Sequence, residues 1–112
     1  MNDVLQQLME ARDKIADPKH WTRDAFARNR DGEACDPNDP AEAYSFCMSG
    51  ALGDEGDDSD AVLALEETIT DYYGNVGGNV MNAAAFNDAS GIEHDDVLFV
   101  FDKTIEDLEK GT

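Results

Sequence analysis

Apolar residues recur at helical spacing in three stretches of the chain. Between residues 3 and 16, Val4, Leu5, Leu8, Ala11 and Ile15 share one face, while Asp3, Glu10, Asp13 and Asp17 fall opposite. That spacing predicts an amphipathic helix. Pro18 ends it, because the residue before a proline is pushed out of the α region. In "DAVLALEETITDYYG" (60–74), Val62, Leu65, Ile69, Tyr72 and Tyr73 form one stripe, with Asp60, Glu67 and Asp71 on the other side and Gly74 as the stop. The last helix begins near Ser90, where Ser90 and Glu93 suit a capping box, and runs to about Lys110. There Val97, Leu98, Phe101, Ile105 and Leu108 fall within about a third of the circumference.

Two other stretches lack this two-sided pattern. "KHWTRDAFARNRDGEACDPNDP" (19–40) has no clean period; "RDGE" predicts a turn joining two short extended pieces, "DAFAR" and "EAC". "DPAEAYSFCMSGAL" opens on a strong helix start, with Asp39 as N-cap and Pro40 at the first position. From Ala41 to Leu52 it has almost no polar face, which predicts a buried central helix. The stretch "NVGGNVMNAAAFNDASG" is turn-rich around a short apolar piece. The sum is a mainly α fold: a compact bundle of about four helices with a small irregular or β-hairpin element after the first. The 112 residues suit a single domain, with 53–60 as an acidic connecting loop.

Composition changes this picture through charge. Twenty-six acids against eight bases give a net charge of −18. Such a surface repels nucleic acid and anionic membranes and attracts basic protein surfaces and cations. No apolar run approaches the roughly 18 residues of a membrane span. The N-terminus carries no secretion pattern, and Cys35 and Cys47 are too few for a disulfide framework. A cytoplasmic protein with reduced thiols is expected; if phage-encoded, it would act in the host cell cytoplasm.

"GDEGDDSD" (53–60) sets five carboxylates in eight residues. An EF-hand loop needs oxygen ligands at its positions 1, 3 and 5, glycine at 6 and glutamate at 12. Counting from Asp54 places Gly56, Ser59 and Leu65 at positions 3, 6 and 12; counting from Asp57 places Ala61 at 5 and Thr68 at 12. Neither register fits, so no metal and no cofactor is expected. Part of the loop serves as a helix start, through Asp58 or Ser59 as a cap. His20, His94, Cys35 and Cys47 contain no paired zinc-ligand spacing. Cys47 beside a histidine would make a thiol nucleophile, but it lies in the most apolar stretch, where cysteine behaves as a small hydrophobe. "NVGGN" lacks the Lys-Ser/Thr of a phosphate loop. Arg12, Arg23, Arg28 and Arg30 are the one basic concentration, expected to hold acids internally rather than to bind nucleic acid.

The acids of the last helix extend the pattern. Asp95, Asp102, Glu106 and Glu109 cluster opposite the apolar stripe, flanked by Asp96 and Asp107, with Phe99 among them. Phe99 is either an aromatic anchor for a partner or covered by a neighbouring segment such as 19–38. Acids on one helical face lie about 5–6 Å apart, a scale similar to the charges along a nucleic acid strand.

The segments "ADPKHWT", "ARNRDG", "CMSGAL" and "FNDASG" resemble those of the family catalogued as domain of unknown function 6197, small bacterial and phage proteins. The resemblance runs through 15–52 and 83–105. Phe86 stands where the family usually has Trp, and Glu93 where a Thr often precedes His94. The resemblance implies a compact, mainly helical domain and supplies no activity and no catalytic residues.

The expectation is a non-enzymatic acidic interaction protein: a phage-type inhibitor, anti-CRISPR or anti-restriction, that mimics nucleic acid on the basic surface of a host nucleic-acid-binding protein. Its partner-binding residues would be Asp54, Glu55, Asp57, Asp58, Asp95, Asp96, Asp102 and Glu106, with Phe99 as anchor. The alternative is a halophile or haloviral protein, acidic for solubility, with an unrelated protein-binding role.

Overall fold

The computed structural model describes residues 3–39, 41–52, 60–73, 83–89 and 91–110. Three long helices supply its frame: α1 (Asp3–Lys14), α3 (Asp60–Tyr73) and α5 (His94–Lys110). Between them lie a 3₁₀ turn (Pro18–His20), strands β1 (Ala27–Arg28) and β2 (Ser45–Phe46), and two short helices, α2 (Met48–Ala51) and α4 (Ala83–Asp88). The fold is mainly helical with a small antiparallel β element after the first helix, as the pattern predicts.

The three stripes meet in one core. Leu8, Ala11 and Ile15 of the first segment, Val62, Leu65 and Ile69 of α3, and Val97, Val100 and Phe101 of α5 are buried together, with Phe86 of α4 filling the space beside them. The buried line of α5 is turned by about 60° from the predicted one at about 100° per residue: Leu98, Ile105 and Leu108 sit at the core margin. Val100 and Thr104 are buried instead. A buried Leu or Phe here contributes about 1.5–3 kcal/mol by removal from water.

Caps agree with the sequence in kind and shift in place. Asp17 accepts the Lys19 N–H at 3.1 Å and starts the 3₁₀ turn, with Pro18 at its first position. Glu93 precedes α5, and its N–H donates to the Asp96 carboxylate at 2.9 Å, the reciprocal half of a capping box. Ser90, the predicted cap, lies outside the described residues.

The predicted central helix over 41–52 is corrected. Asp39 does cap a turn, its Oδ1 accepting the Ala41 N–H at 3.0 Å and its carbonyl accepting that of Ala43 at 2.9 Å. One turn later the backbone leaves the helix. Tyr44 N–H donates to Arg28 O at 2.8 Å, and Cys47 N–H to Phe26 O at 3.1 Å. Residues 45–46 thus form β2, paired antiparallel with β1 in the register Ala27↔Phe46. Thr22 N–H reaches Phe46 O at 3.0 Å from the other side, so β2 is covered on both edges. An all-apolar run fits a buried strand as well as a buried helix, and "YSF" favours the strand.

The turn predicted at "RDGE" forms. Arg28 bridges Ala34 antiparallel, Asn29 Oδ1 accepts the N–H groups of Asp31 and Glu33, and Gly32 takes φ 86°. Cys47 then caps α2, its Sγ accepting the Gly50 N–H at 3.3 Å. Gly50 has no room for any side chain: a Cβ there would sit 1.8 Å from Phe26 O.

Candidate functional site

Asp95, Phe99, Asp102 and Glu106 follow one another at spacings of four, three and four along α5. The structure gives them different neighbours. Asp95 is exposed in the first turn, where its charge favours the helix N-terminus. Asp96 is committed internally: Oδ1 accepts the Tyr73 hydroxyl at 2.9 Å and Oδ2 the Glu93 N–H. Burial, followed by this carboxylate, pushes the Tyr73 phenol up to about 12. Asp102 pairs with Arg12 of α1 at 2.8 Å, tying α5 to the first helix. Glu106 accepts Lys110 at 3.0 Å and faces Lys103 at 3.9 Å; the Lys110 bond first, then the Lys103 charge, hold its carboxyl below the usual range.

Phe99 is half-buried. Its cover is the end of α3, not the 19–38 segment: Tyr72 meets it edge-on at 5.3 Å and Tyr73 at 6.3 Å between centroids, while Lys103 stands 5.9 Å from the ring centre. The other predicted binding residues, Asp54, Glu55, Asp57 and Asp58, lie outside the described residues. The structure therefore brings together the α5 group alone, and three of its four carboxylates already have partners.

The arginines do less ion pairing than predicted. Arg12 holds Asp102. Arg23 lies 5.0 Å over the Trp21 ring and Arg30 5.0 Å over Tyr44. Arg28 donates to Thr22 Oγ1 at 3.0 Å, to Arg23 O at 3.1 Å and to Gly32 O at 2.9 Å. These three fasten the turn region to aromatic faces and carbonyls rather than to carboxylates.

A second cluster of acids was visible only as a polar face in the sequence. α3 and α5 run antiparallel, with Tyr73 beside Asp96 at one end and Thr68 beside Thr104 further along. Between them opens a groove of about 230 Å³ whose walls include Glu67 and Asp71 from α3 and Asp107 from α5. Among the described residues none of these three forms an ion pair. Ala64 and Leu108 close one end.

Elsewhere, three of the four segments quoted for the family resemblance, "ADPKHWT", "CMSGAL" and "FNDASG", meet at Asn87. It is fully buried. Its Oδ1 accepts Trp21 Nε1–H at 2.7 Å and Met48 N–H at 3.2 Å; its Nδ2 donates to Thr22 O at 2.9 Å and Asp88 Oδ1 at 3.1 Å. Asp88 Oδ1 also takes the N–H of Asp24, which sits at φ 64°. One amide thus joins the 3₁₀ turn region, α2 and α4. Beside it an open cleft of about 160 Å³ is bordered by Asp24, Phe26, Cys47 and Asp88.

The histidines are engaged elsewhere. His94 Nε2 lies 2.6 Å from Ile15 O and His20 Nδ1 2.7 Å from Tyr44 O, each bridging two parts of the fold. Neither borders the Cys47 cleft. Burial first, then the charges of Glu42, Asp39 and Asp36, raise the Cys35 thiol, which disfavours the thiolate. Among the described residues no three His, Cys, Asp or Glu side chains converge to hold a metal ion. No helix among them is long and apolar enough to cross a membrane.

The model of the Family of unknown function (DUF6197) matches residues 1–107, so the chain belongs to that family. No curated protein and no solved structure matches it.

Proposed function

We propose that this DUF6197 member works by being bound: a non-enzymatic acidic protein of the phage-inhibitor type, competing with nucleic acid for the basic groove of a host defence protein such as a CRISPR or restriction component. One observation carries this reading. Residues 43–112 hold sixteen acids and two bases, whereas residues 1–42 hold ten acids and six bases. Concentrated charge of one sign attracts an oppositely charged groove and accelerates encounter with it.

The test is competition. A CRISPR effector and a restriction endonuclease, each bound to labelled DNA, are titrated with the protein. Displacement is expected, and reversal to lysine at Asp54, Asp57 and Asp95 together is expected to abolish it while leaving the helical circular dichroism intact. Binding that survives the triple reversal would sink the mimic. Circular dichroism from about 10 mM to about 3 M sodium chloride separates the alternative, since the Debye length falls from about 30 Å to under 3 Å over that range. A protein acidic as an adaptation to salt folds only at the high end; a mimic folds at both.

A further inference from the structure

Resting on the reading of the protein as an acidic binder, we propose that the groove between α3 and α5 is the docking site for a basic amphipathic helix of a protein partner. Three features of the groove select this occupant. Its charge is one-sided. Glu67 and Asp71 stand a helical turn apart on one bank and Asp107 on the other, with no cation paired to them among the described residues. The acids towards α1 and along the α5 stripe differ, since Asp102 and Glu106 already hold Arg12, Lys103 and Lys110.

The polar floor accepts rather than donates. Thr104 Oγ1 lies 2.7 Å from Val100 O and 2.6 Å from Thr68 Oγ1, and Thr68 Oγ1 lies 3.3 Å from Ala64 O. Two hydroxyl protons cannot serve three contacts. Both protons are used within the floor, Thr104 donating to Val100 O and Thr68 to Ala64 O or to Thr104. The floor therefore offers no free donor and the three carboxylates call for donors, which arginine and lysine supply and an acidic or neutral segment does not.

Apolar surface flanks the acids. Tyr72 is 51% exposed beside Phe99 at one end, Leu63 is 50% exposed one turn from Glu67, and Ala64 and Leu108 line the other end. A lone lysine or a polyarginine coil leaves that surface uncovered. A helix laid along the groove covers it with its apolar face and places cations against both banks.

The probe is a labelled synthetic helix of about 14 residues, roughly 21 Å long, with leucine on one face and arginine on the other. A scrambled peptide of the same composition is the control. Binding is read by fluorescence anisotropy at about 0.15 M salt. Two triple variants carry the same change in charge: E67Q/D71N/D107N in the groove, and E10Q/D13N/E33Q outside it. The groove variant is expected to lose at least about tenfold in affinity and the outside variant less than about twofold, with unchanged urea midpoints. The scrambled peptide is expected to bind the native protein at least about tenfold more weakly than the helix.

Equal losses in the two variants, or equal binding of the two peptides, would show attraction by bulk charge and overturn the groove while leaving the acidic-binder reading in place. Failure of the helix to bind a protein that displaces DNA in the competition experiment overturns the groove alone. Concentration-dependent sedimentation of the protein by itself, abolished in the groove variant, would assign the groove to a second copy and overturn the proposed occupant.

Discussion

The turn region, residues 18–52, and the helical region, residues 60–110, are held together by different means. The first has four bases and six acids, the second two bases and twelve acids. In the turn region the polar groups work inward: Arg28 fastens carbonyls, Arg23 and Arg30 lie on rings, and Asn87 reaches in from α4 to bond Trp21, Thr22 and Met48. In the helical region apolar stripes provide the cohesion, and most acids remain at the surface. Tolerance to substitution differs accordingly. A fold secured by a few directional bonds fails at single atoms, whereas packed stripes leave the outer faces open to a binding role.

The sharpest way to break this contrast is at Asn87. Asn87→Ala leaves the Trp21 Nε1–H, the Met48 N–H and the Thr22 carbonyl without their partner, at a cost of about 3 kcal/mol or more. Urea unfolding followed by circular dichroism checks it. Asn87→Asp keeps the shape, yet it is expected to recover little, because a carboxylate would face Thr22 O and the Asp88 carboxylate. Loss under about 0.5 kcal/mol in both variants would mean that the turn region does not depend on this amide.

A smaller effect is expected at Tyr73, where the helical region has its own directional bond. The folded phenol is raised from 10.0 to about 12, so the folded state holds its proton more tightly than the unfolded chain. Its contribution is therefore fully present below pH 10 and is lost as the pH rises towards about 12. Tyr73→Phe should cost about 1 kcal/mol at neutral pH and remove that alkaline decline from the curve of stability against pH. An unchanged alkaline decline in the variant would assign it to other groups.

The smallest effect is expected at the surface pair between α1 and α5. Asp102→Asn, which leaves Arg12 facing a neutral amide, should change stability by no more than about 1 kcal/mol at low salt and by nothing measurable at about 1 M. Urea midpoints at the two salt concentrations decide it. A loss as large as that of Asn87→Ala would erase the distinction between the two regions.

Much of the frame was legible in the chain. The period of α1, α3 and α5 is written in Leu8, Ala11, Ile15, Val62, Leu65, Ile69, Val97 and Phe101, because which side of a helix is apolar is a local property. The "RDGE" turn was legible for the same reason: Asn29 and Gly32 set it through contacts a few residues apart. The segment 41–52 was not. Its N-cap is real, but the N–H groups of Tyr44 and Cys47 are claimed by carbonyls of residues 28 and 26, and only a folded chain brings those near. The candidate site was legible in its charge and partly in its residues. Asp102 and Asp107 look alike in sequence, yet one meets Arg12 and the other lines a groove with Glu67 and Asp71. Phe99 stands out in the sequence as an aromatic among acids, and its cover by Tyr72 and Tyr73 depends on how α3 crosses α5.

The long helices, the tight turn and the excess of negative charge follow from the order of amino acids alone, since periodicity, turn chemistry and composition act over a few residues or not through geometry at all. The tertiary structure alone decided that an apolar run becomes a strand and a single helical turn, that one buried amide joins three segments, and which carboxylates are neutralised. Apart from the local pairs of Glu106 with Lys103 and Lys110, those outcomes rest on hydrogen bonds and ion pairs between residues far apart in the chain, such as Arg12 with Asp102 and Trp21 with Asn87, and their partners are fixed only when the helices pack.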